Sequence, residues 1–281
     1  MDVWEQRVPT AAGGWLATRL AWPRSLGVPR EAPLLPAELA KAARGVAVLI
    51  VHQYSIMGGS QDLMRGLARE LAFRHGLVAV TFNQRGVGDS SGWSTLTGHG
   101  EADDTATMGA WLQAAGFSRV LLLCVSAGGP IGGSALDRCP AFSAYVALGY
   151  VFGFAASLLF GGHFRAVLDS SKPKLFVQAA GDEFTGQATL LDWAAPQSRA
   201  HGTTETRIVP GVGHFSLEGP EWDAHAVRWA LAFAHRVNAF GEAAPASCAA
   251  CAAAEAAELA EAKAALGSAP VESGSVSVAQ P

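Results

Sequence analysis

Short apolar runs recur along this chain, and most are followed by a stretch whose apolar positions fall every three or four residues. Strands are predicted over 46–51, 77–82, 120–124, 142–148, 174–179 and 205–209. The run 46–51 has no polar face, which marks a strand covered on both sides. Helices are predicted over 61–75, 101–115, 127–139, 189–200 and 222–239. In the first of these, Leu63, Met64, Leu67, Leu71 and Ala72 share one side, and Gly76 stands where a glycine ends a helix. The chain opens differently, with strands over 3–8 and 15–21 joined as a hairpin through Ala12-Gly13-Gly14. A proline-rich connection (Pro23, Pro29, Pro33, Pro36) and a short helix near 37–43 come next. Strand–helix alternation of this kind predicts an α/β fold with a mostly parallel central sheet and helices on both faces.

Residues 140–162 carry no charge, a run long enough to cross a bilayer. Its β-rich start, its glycines and its place within the alternation instead predict a buried strand followed by an apolar wall over the sheet edge. Phe152, Phe154, Leu158 and Phe160, with Val151 and Leu159, are the expected pocket-lining residues. From 241 onward Ala, Glu, Ser and Gly dominate, and no aromatic residue follows Phe240. Two parts are therefore expected: an α/β domain over 1–240 and a disordered or weakly helical tail over 241–281.

Half of the 281 residues are hydrophobic and 16% are charged, enough apolar surface for one large core. The net charge of −4 lies in the tail, and residues 1–240 balance at 19 acidic against 19 basic side chains. A body without charge excess gives no footprint for nucleic acid, and none is expected as a partner. The first residues, Met1-Asp2-Val3-Trp4-Glu5, lack an apolar core segment, so the cytoplasm is the expected compartment. Cys124 and Cys139 read as small core residues. Cys248 and Cys251 form a Cys-x-x-Cys inside an alanine-rich stretch, with no second pair to complete a zinc site. No metal and no cofactor is expected.

The chemistry concentrates at three strand ends. Ser126 lies in Leu122-Leu123-Cys124-Val125-Ser126-Ala127-Gly128-Gly129, between an apolar strand and a Gly/Ala-rich helix. Small neighbours two residues away on each side permit the sharp strand-to-helix bend of a nucleophile elbow. Asp182 follows the strand 174–179, and His214 follows 205–209 in Pro210-Gly211-Val212-Gly213-His214. A serine hydroxyl becomes a useful nucleophile when a histidine takes its proton and an acid orients that histidine. Ser126, His214 and Asp182 are the candidates for these roles, with Glu183 a weaker alternative acid. Two N–H donors are needed for a developing oxyanion. Ala127 is expected to supply one, and Tyr54 or Gln53, after strand 46–51, the other. His52 reads as a loop-shaping residue. The segment Gln84-Arg85-Gly86-Val87-Gly88-Asp89-Ser90-Ser91-Gly92 superficially suggests a phosphate-binding loop and hence a nucleotide-dependent oxidoreductase. It lacks the following helix and the ribose-binding acid, so a structural turn is expected there.

Together these residues resemble the α/β-hydrolase superfamily over about residues 1–240, with the nearest likeness to compact members related to dienelactone hydrolases and small serine esterases or peptidases. Its motifs match His52…Gly58-Gly59 and Arg85-Gly86-Val87-Gly88-Asp89-Ser90, and the resemblance carries the triad onto Ser126, Asp182 and His214. Two positions depart from it: Cys124 replaces the usual glycine before the nucleophile, and the loop reads His-Gln-Tyr. The insertion over 149–173 is too short for a large cap. The resemblance implies hydrolysis of a small ester or thioester, with an amide or peptide also open, and the apolar segment 151–160 favours a small-molecule substrate bearing an acyl or aromatic part. A ligand-binding protein on the same fold, without turnover, is the competing expectation.

Overall fold

A computed structural model describes residues 2–29, 35–194 and 203–267. Its strands are β1 (Asp2–Pro9), β2 (Trp15–Trp22), β3 (Val46–Val51), β4 (Ala79–Phe82), β5 (Arg119–Val125), β6 (Phe142–Leu148), β7 (Lys174–Ala179) and β8 (Thr204–Val209). They form one eight-stranded sheet in the order β1-β2-β4-β3-β5-β6-β7-β8. The β1–β2 and β2–β4 pairs are antiparallel, and every other pair is parallel. The helices are α1 (Leu35–Ala42), α2 (Arg65–Arg69), α3 (His99–Ala114), α4 (Gly128–Gly133), α5 (Phe154–Asp169), α6 (Gln187–Ala194), α7 (His214–Leu217), α8 (Asp223–Arg236) and α9 (Ala246–Gly267).

The central strands divide their side chains between two cores. In β3, Ala47, Leu49 and Val51 face one layer, while Val46, Val48 and Ile50 face the other. In β5, Val120, Leu122 and Cys124 alternate with Leu121, Leu123 and Val125 in the same way. The first layer is closed by Leu39 of α1, Met108 and Leu112 of α3, Ile131 of α4 and Val167 of α5. The second is closed by Leu67 of α2 and by Val227, Leu231 and Phe233 of α8. A period of two in each strand, with both sets apolar, is what a sheet covered on both faces requires.

Several elements differ from their predicted form. The helix expected over 61–75 is a 3₁₀ turn (Gln61–Met64), α2, and a π turn (Glu70–Arg74) in succession. Met64, Leu67, Leu71 and Ala72 are buried as one side, but the tighter first turn leaves Leu63 57% exposed. The helix expected over 127–139 splits into α4 and a 3₁₀ turn, Leu136–Arg138. Its sequence Gly-Gly-Pro-Ile-Gly-Gly has little intrinsic helicity and is fully buried, so tertiary contacts hold that turn. The helix expected over 189–200 is observed as α6, and residues 195–200 lie outside the described residues.

Where composition suggests a tail, residues 246–267 form α9, which packs on α8. Cys248 and Cys251 are buried one helical turn apart, and Cys251 Sγ lies 3.7 Å from His75 Nδ1. Small Ala and Cys side chains let the two helices approach closely, a packing signal that a hydrophobic-face count overlooks. Residues 268–281 of the expected tail lie outside the described residues. Among the described residues no helix is long and apolar enough to cross a membrane; the uncharged run is split between β6 and the start of α5.

The order of strands creates the site. From β3 the chain crosses to β4 on one side and then returns to place β5 on the other. The connections leaving the carboxyl ends of β3 and β5 therefore run to opposite faces of the sheet, through α2 and α4, and leave a crevice at the switch point at which ligands bind in open α/β sheets. Phe233 is fully buried in the layer beneath α8, so Phe233→Ala is expected to cost about 3–5 kcal/mol. A shift of the urea midpoint at unchanged m-value measures it; a change below about 1 kcal/mol contradicts this account of the second core.

Candidate active site

Ser126 is the residue after β5, and its φ of 55° lies in the left-handed region that non-glycine residues rarely enter. The turn is held on both sides. Ser126 N–H donates to Leu148 O at 2.8 Å, and Gly129 N–H donates to Ser126 O at 2.8 Å. Gly128 is needed for proximity, since a Cβ there would lie 2.3 Å from the carbonyl oxygen of His52. The elbow is thus pressed against the loop after β3.

Asp182, after β7, and His214, at the start of α7, meet Ser126 above the sheet. Ser126 Oγ lies 2.8 Å from His214 Nε2, and His214 Nδ1 lies 2.6 Å from Asp182 Oδ2. The other Asp182 oxygen accepts the N–H groups of Phe184 at 2.9 Å and Thr185 at 2.8 Å, which fixes the carboxylate. Glu183, the weaker alternative acid, instead accepts the backbone N–H of His214 at 2.9 Å. Gly149, with a φ of 64°, leaves room for the ring; a Cβ there would sit 3.1 Å from His214 Cε1. Phe184 and Phe215 contact the imidazole edge-on, at centroid distances of 4.7 and 5.4 Å.

His214 also has a neighbour that the motif analysis missed. Glu218 Oε1 lies 3.0 Å from His214 Nε2, and Glu218 Oε2 accepts from Gln53 Nε2 at 3.2 Å. The available signal was the His-x-x-x-Glu spacing, which puts both side chains on one helical face. Burial disfavours the charged ring, but the hydrogen bonds to Asp182 and Glu218 more than offset it and raise the His214 pKa to about 9.

A cavity of about 420 Å³ opens over Ser126. Gln53, Tyr54 and Ala127 line it, so the three expected oxyanion residues and the serine are brought together. The Tyr54 side chain is pinned by its hydroxyl, which donates to Leu96 O at 2.6 Å, and by edge-on contact with Phe160. Of the expected pocket residues, Phe160 lines the cavity, with Val151, Ala156 and Leu159 beside it. Two expectations are corrected. Phe152 is not among the lining residues and packs on Phe164 and Trp193, while Leu158 is 75% exposed and faces outward. Helical periodicity explains Leu158, because α5 turns 156, 159 and 160 toward the cavity and 158 away from it, whereas Phe152 precedes the helix. The side chain of Phe154 lies outside the described residues.

The remaining motif residues support the frame. His52 is buried; its Nδ1 lies 2.7 Å from Gln53 O, and its Nε2 accepts from the Gln84 N–H at 3.1 Å. Burial lowers its pKa to about 4, so it joins two loops as a neutral ring. Arg85 is paired with buried Asp104, with Nη2 2.7 Å from Oδ1, and Ser90 Oγ donates to Asn83 O at 2.6 Å. These residues knit the 84–92 loop into the fold. Among the described residues no group of His, Cys, Asp and Glu is arranged to hold a metal ion.

No protein-family model matches the chain, and no curated protein matches it in sequence. Solved structures do match. An α/β serine hydrolase homologue from Coxiella burnetii shares 21% identity and a TM-score of 0.60, over 80% of this chain and 96% of that one. An α/β serine hydrolase without a lid from Xanthomonas campestris shares 20% identity and a TM-score of 0.60, over 84% and 95%. An esterase from Pyrococcus furiosus shares 15% identity and a TM-score of 0.61, over 84% and 92%. The likeness establishes that this chain has the α/β-hydrolase fold.

Gly128→Ala is expected to destabilise the protein by about 1–3 kcal/mol and to push residues 52–54 away from Ser126, because the added methyl meets backbone rather than a movable side chain. Thermal melting and the amide NMR shifts of residues 52–54 check this; a melt and spectrum like those of the parent protein would contradict the close approach.

Proposed function

We propose that this α/β-hydrolase-fold protein is a serine hydrolase that cleaves small carboxylic esters or thioesters through an acyl-enzyme. The observation that carries the reading is the chain of contacts Ser126 Oγ–His214 Nε2–His214 Nδ1–Asp182 Oδ2, at 2.8 and 2.6 Å, at the floor of an apolar cavity. In this reading Ser126 Oγ attacks the substrate carbonyl carbon while its proton passes to His214 Nε2. The tetrahedral oxyanion is met by the backbone N–H groups of Ala127 and of Tyr54 or Gln53. His214 then gives the proton to the departing alcohol or thiol, leaving Ser126 acylated. Water attacks the acyl carbon, its proton goes to His214, and the carboxylic acid is released as Oγ regains a proton.

Asp182 accepts from Nδ1–H, which holds the tautomer whose Nε2 faces the serine. Val151, Leu159 and Phe160 favour an apolar acyl or aromatic group, and the short insertion carrying α5 leaves no room for a large cap there, so small or partly exposed substrates are expected. Amide cleavage would use the same groups.

Fluorophosphonate labelling tests the reading directly. The wild-type protein is expected to label at Ser126 and Ser126→Ala not to label. Failure of the folded wild type to label at any pH overturns the hydrolase reading in favour of ligand binding without turnover. With a p-nitrophenyl acyl ester, Asp182→Asn is expected to lower kcat about 10³–10⁴-fold, since the wrong tautomer then faces Ser126. A loss below about tenfold would assign the orienting role elsewhere.

The pH profile follows from His214. A general base must be neutral, and its pKa is raised to about 9. For an uncharged ester, kcat/KM is therefore expected to be low at neutral pH and to rise through an inflection near 9. An inflection at or below the ordinary histidine value of about 6.5 would contradict the site's charge balance.

A further inference from the structure

His214 is fully buried at its side chain and has a carboxylate at each ring nitrogen: Asp182 at Nδ1, 2.6 Å away, and Glu218 at Nε2, 3.0 Å away. Ser126 Oγ shares the Nε2 edge at 2.8 Å. A neutral ring that donates Nδ1–H to Asp182 carries no proton on Nε2. It can accept from Ser126, but its Nε2 lone pair then faces an oxygen of Glu218 with no hydrogen between them. Glu218 Oε1 is buried and has no hydrogen-bond partner among the described residues, so the neutral ring leaves a buried carboxylate oxygen unsatisfied. A protonated ring sets its positive charge between both carboxylates at once.

We infer that Glu218 is a positioning residue that holds a proton on His214 Nε2, and so sets the pH at which the Ser126–His214 pair becomes nucleophilic. The inference rests on the hydrolase reading and adds a control element to it. Gln53 is part of the device, since its side-chain amide fixes the second Glu218 oxygen and its own loop borders the serine. This gives the His-Gln-Tyr departure a physical purpose: the residue after His52 ties the loop beyond β3 to the carboxylate at the base.

The surroundings leave few competing influences. Among the described residues, the charged groups lining the cavity are Glu183 and Glu218, both acidic. Glu183, in the loop after β7, is committed to the backbone N–H of His214, and Asp182 to Nδ1. Asp223, which shares a wall with Glu218 in a small neighbouring cavity, adds negative charge on the same side. Among the described residues no lysine or arginine lines the cavity to oppose the protonated ring. During turnover the same carboxylate faces the imidazolium that forms when Ser126 attacks, so it slows activation at neutral pH while stabilising the charge once formed.

The experiment pairs two readouts on the full-length wild type, Glu218→Gln and Glu218→Ala. The first is the ¹⁵N NMR titration of the His214 ring, which needs no turnover and reports on any folded variant. The second is the pH dependence of fluorophosphonate labelling at Ser126. Removing the charge is expected to lower both inflections by about 1–2 pH units. At pH 7 the labelling rate, as a fraction of each protein's own alkaline plateau, then rises about tenfold or more. The isosteric Glu218→Gln keeps the cavity filled, so a lowered inflection there reports charge rather than packing. An unchanged ring titration in both variants, with wild-type labelling at Ser126 intact, overturns the role of Glu218 and leaves the hydrolase reading standing. Absence of labelling in the wild type at every pH overturns the hydrolase reading, and the inference with it.

Discussion

The backbone at Ser126 is held where a residue with a side chain is strained, and the site's geometry follows from how that strain is contained. A left-handed non-glycine residue costs of order 1–3 kcal/mol. Here β5 supplies the restraint on one side, through the ladder with β6 that continues to the Ser126 N–H, and buried α4 supplies it on the other. With the turn so fixed, Oγ stands above the sheet edge instead of lying in its plane. The same compression brings Gly128 against the His52 carbonyl, so the loop after β3 and the elbow after β5 cannot move independently. The proposed nucleophile and the proposed oxyanion donors are therefore parts of one rigid unit.

Two histidines near this unit show how environment assigns opposite states to one side-chain type. Both are buried, and burial acts on each to disfavour charge. The hydrogen-bond partners of His52 among the described residues are a backbone carbonyl and a backbone N–H, both neutral, and its pKa falls to about 4. His214 lies between two carboxylates, and its pKa rises to about 9. The difference is charge pairing in a place that water does not reach, where an opposite charge is only weakly screened. One ring serves as a neutral brace; the other is equipped to take and hold a proton.

The cavity wall follows from secondary structure more than from composition. The stretch 151–160 is uncharged and mostly apolar, and composition alone marks every large side chain in it as a candidate lining residue. Once 154–169 is a helix, only part of each turn can face the serine. Phe160 and Leu159 lie on that side, as does Ala156, whereas Leu158 is carried to the outside and Phe152 is drawn into the aromatic cluster with Phe164 and Trp193.

Local order was legible in the sequence because it rests on local physics. Apolar runs of strand length identified the central strands, small residues around Ser126 identified the sharp turn, and the strand-end positions of Asp182 and His214 placed all three at one edge of a parallel sheet. The weakly patterned segments were less legible. The winding of 61–74 through three helix types, the short α4 and the docking of α9 depend on what each segment packs against, which its own residues do not encode. Tertiary structure alone decided which apolar residues of α5 face the cavity, which oxygens Asp182 and Glu183 present to His214, and that Gln53 reaches Glu218. These are contacts between segments separated by tens to more than a hundred residues, and their ångström distances are set by packing two layers against one sheet. Hydrophobic period fixes which way a side chain points along its own element; only the closed fold brings a second element to meet it.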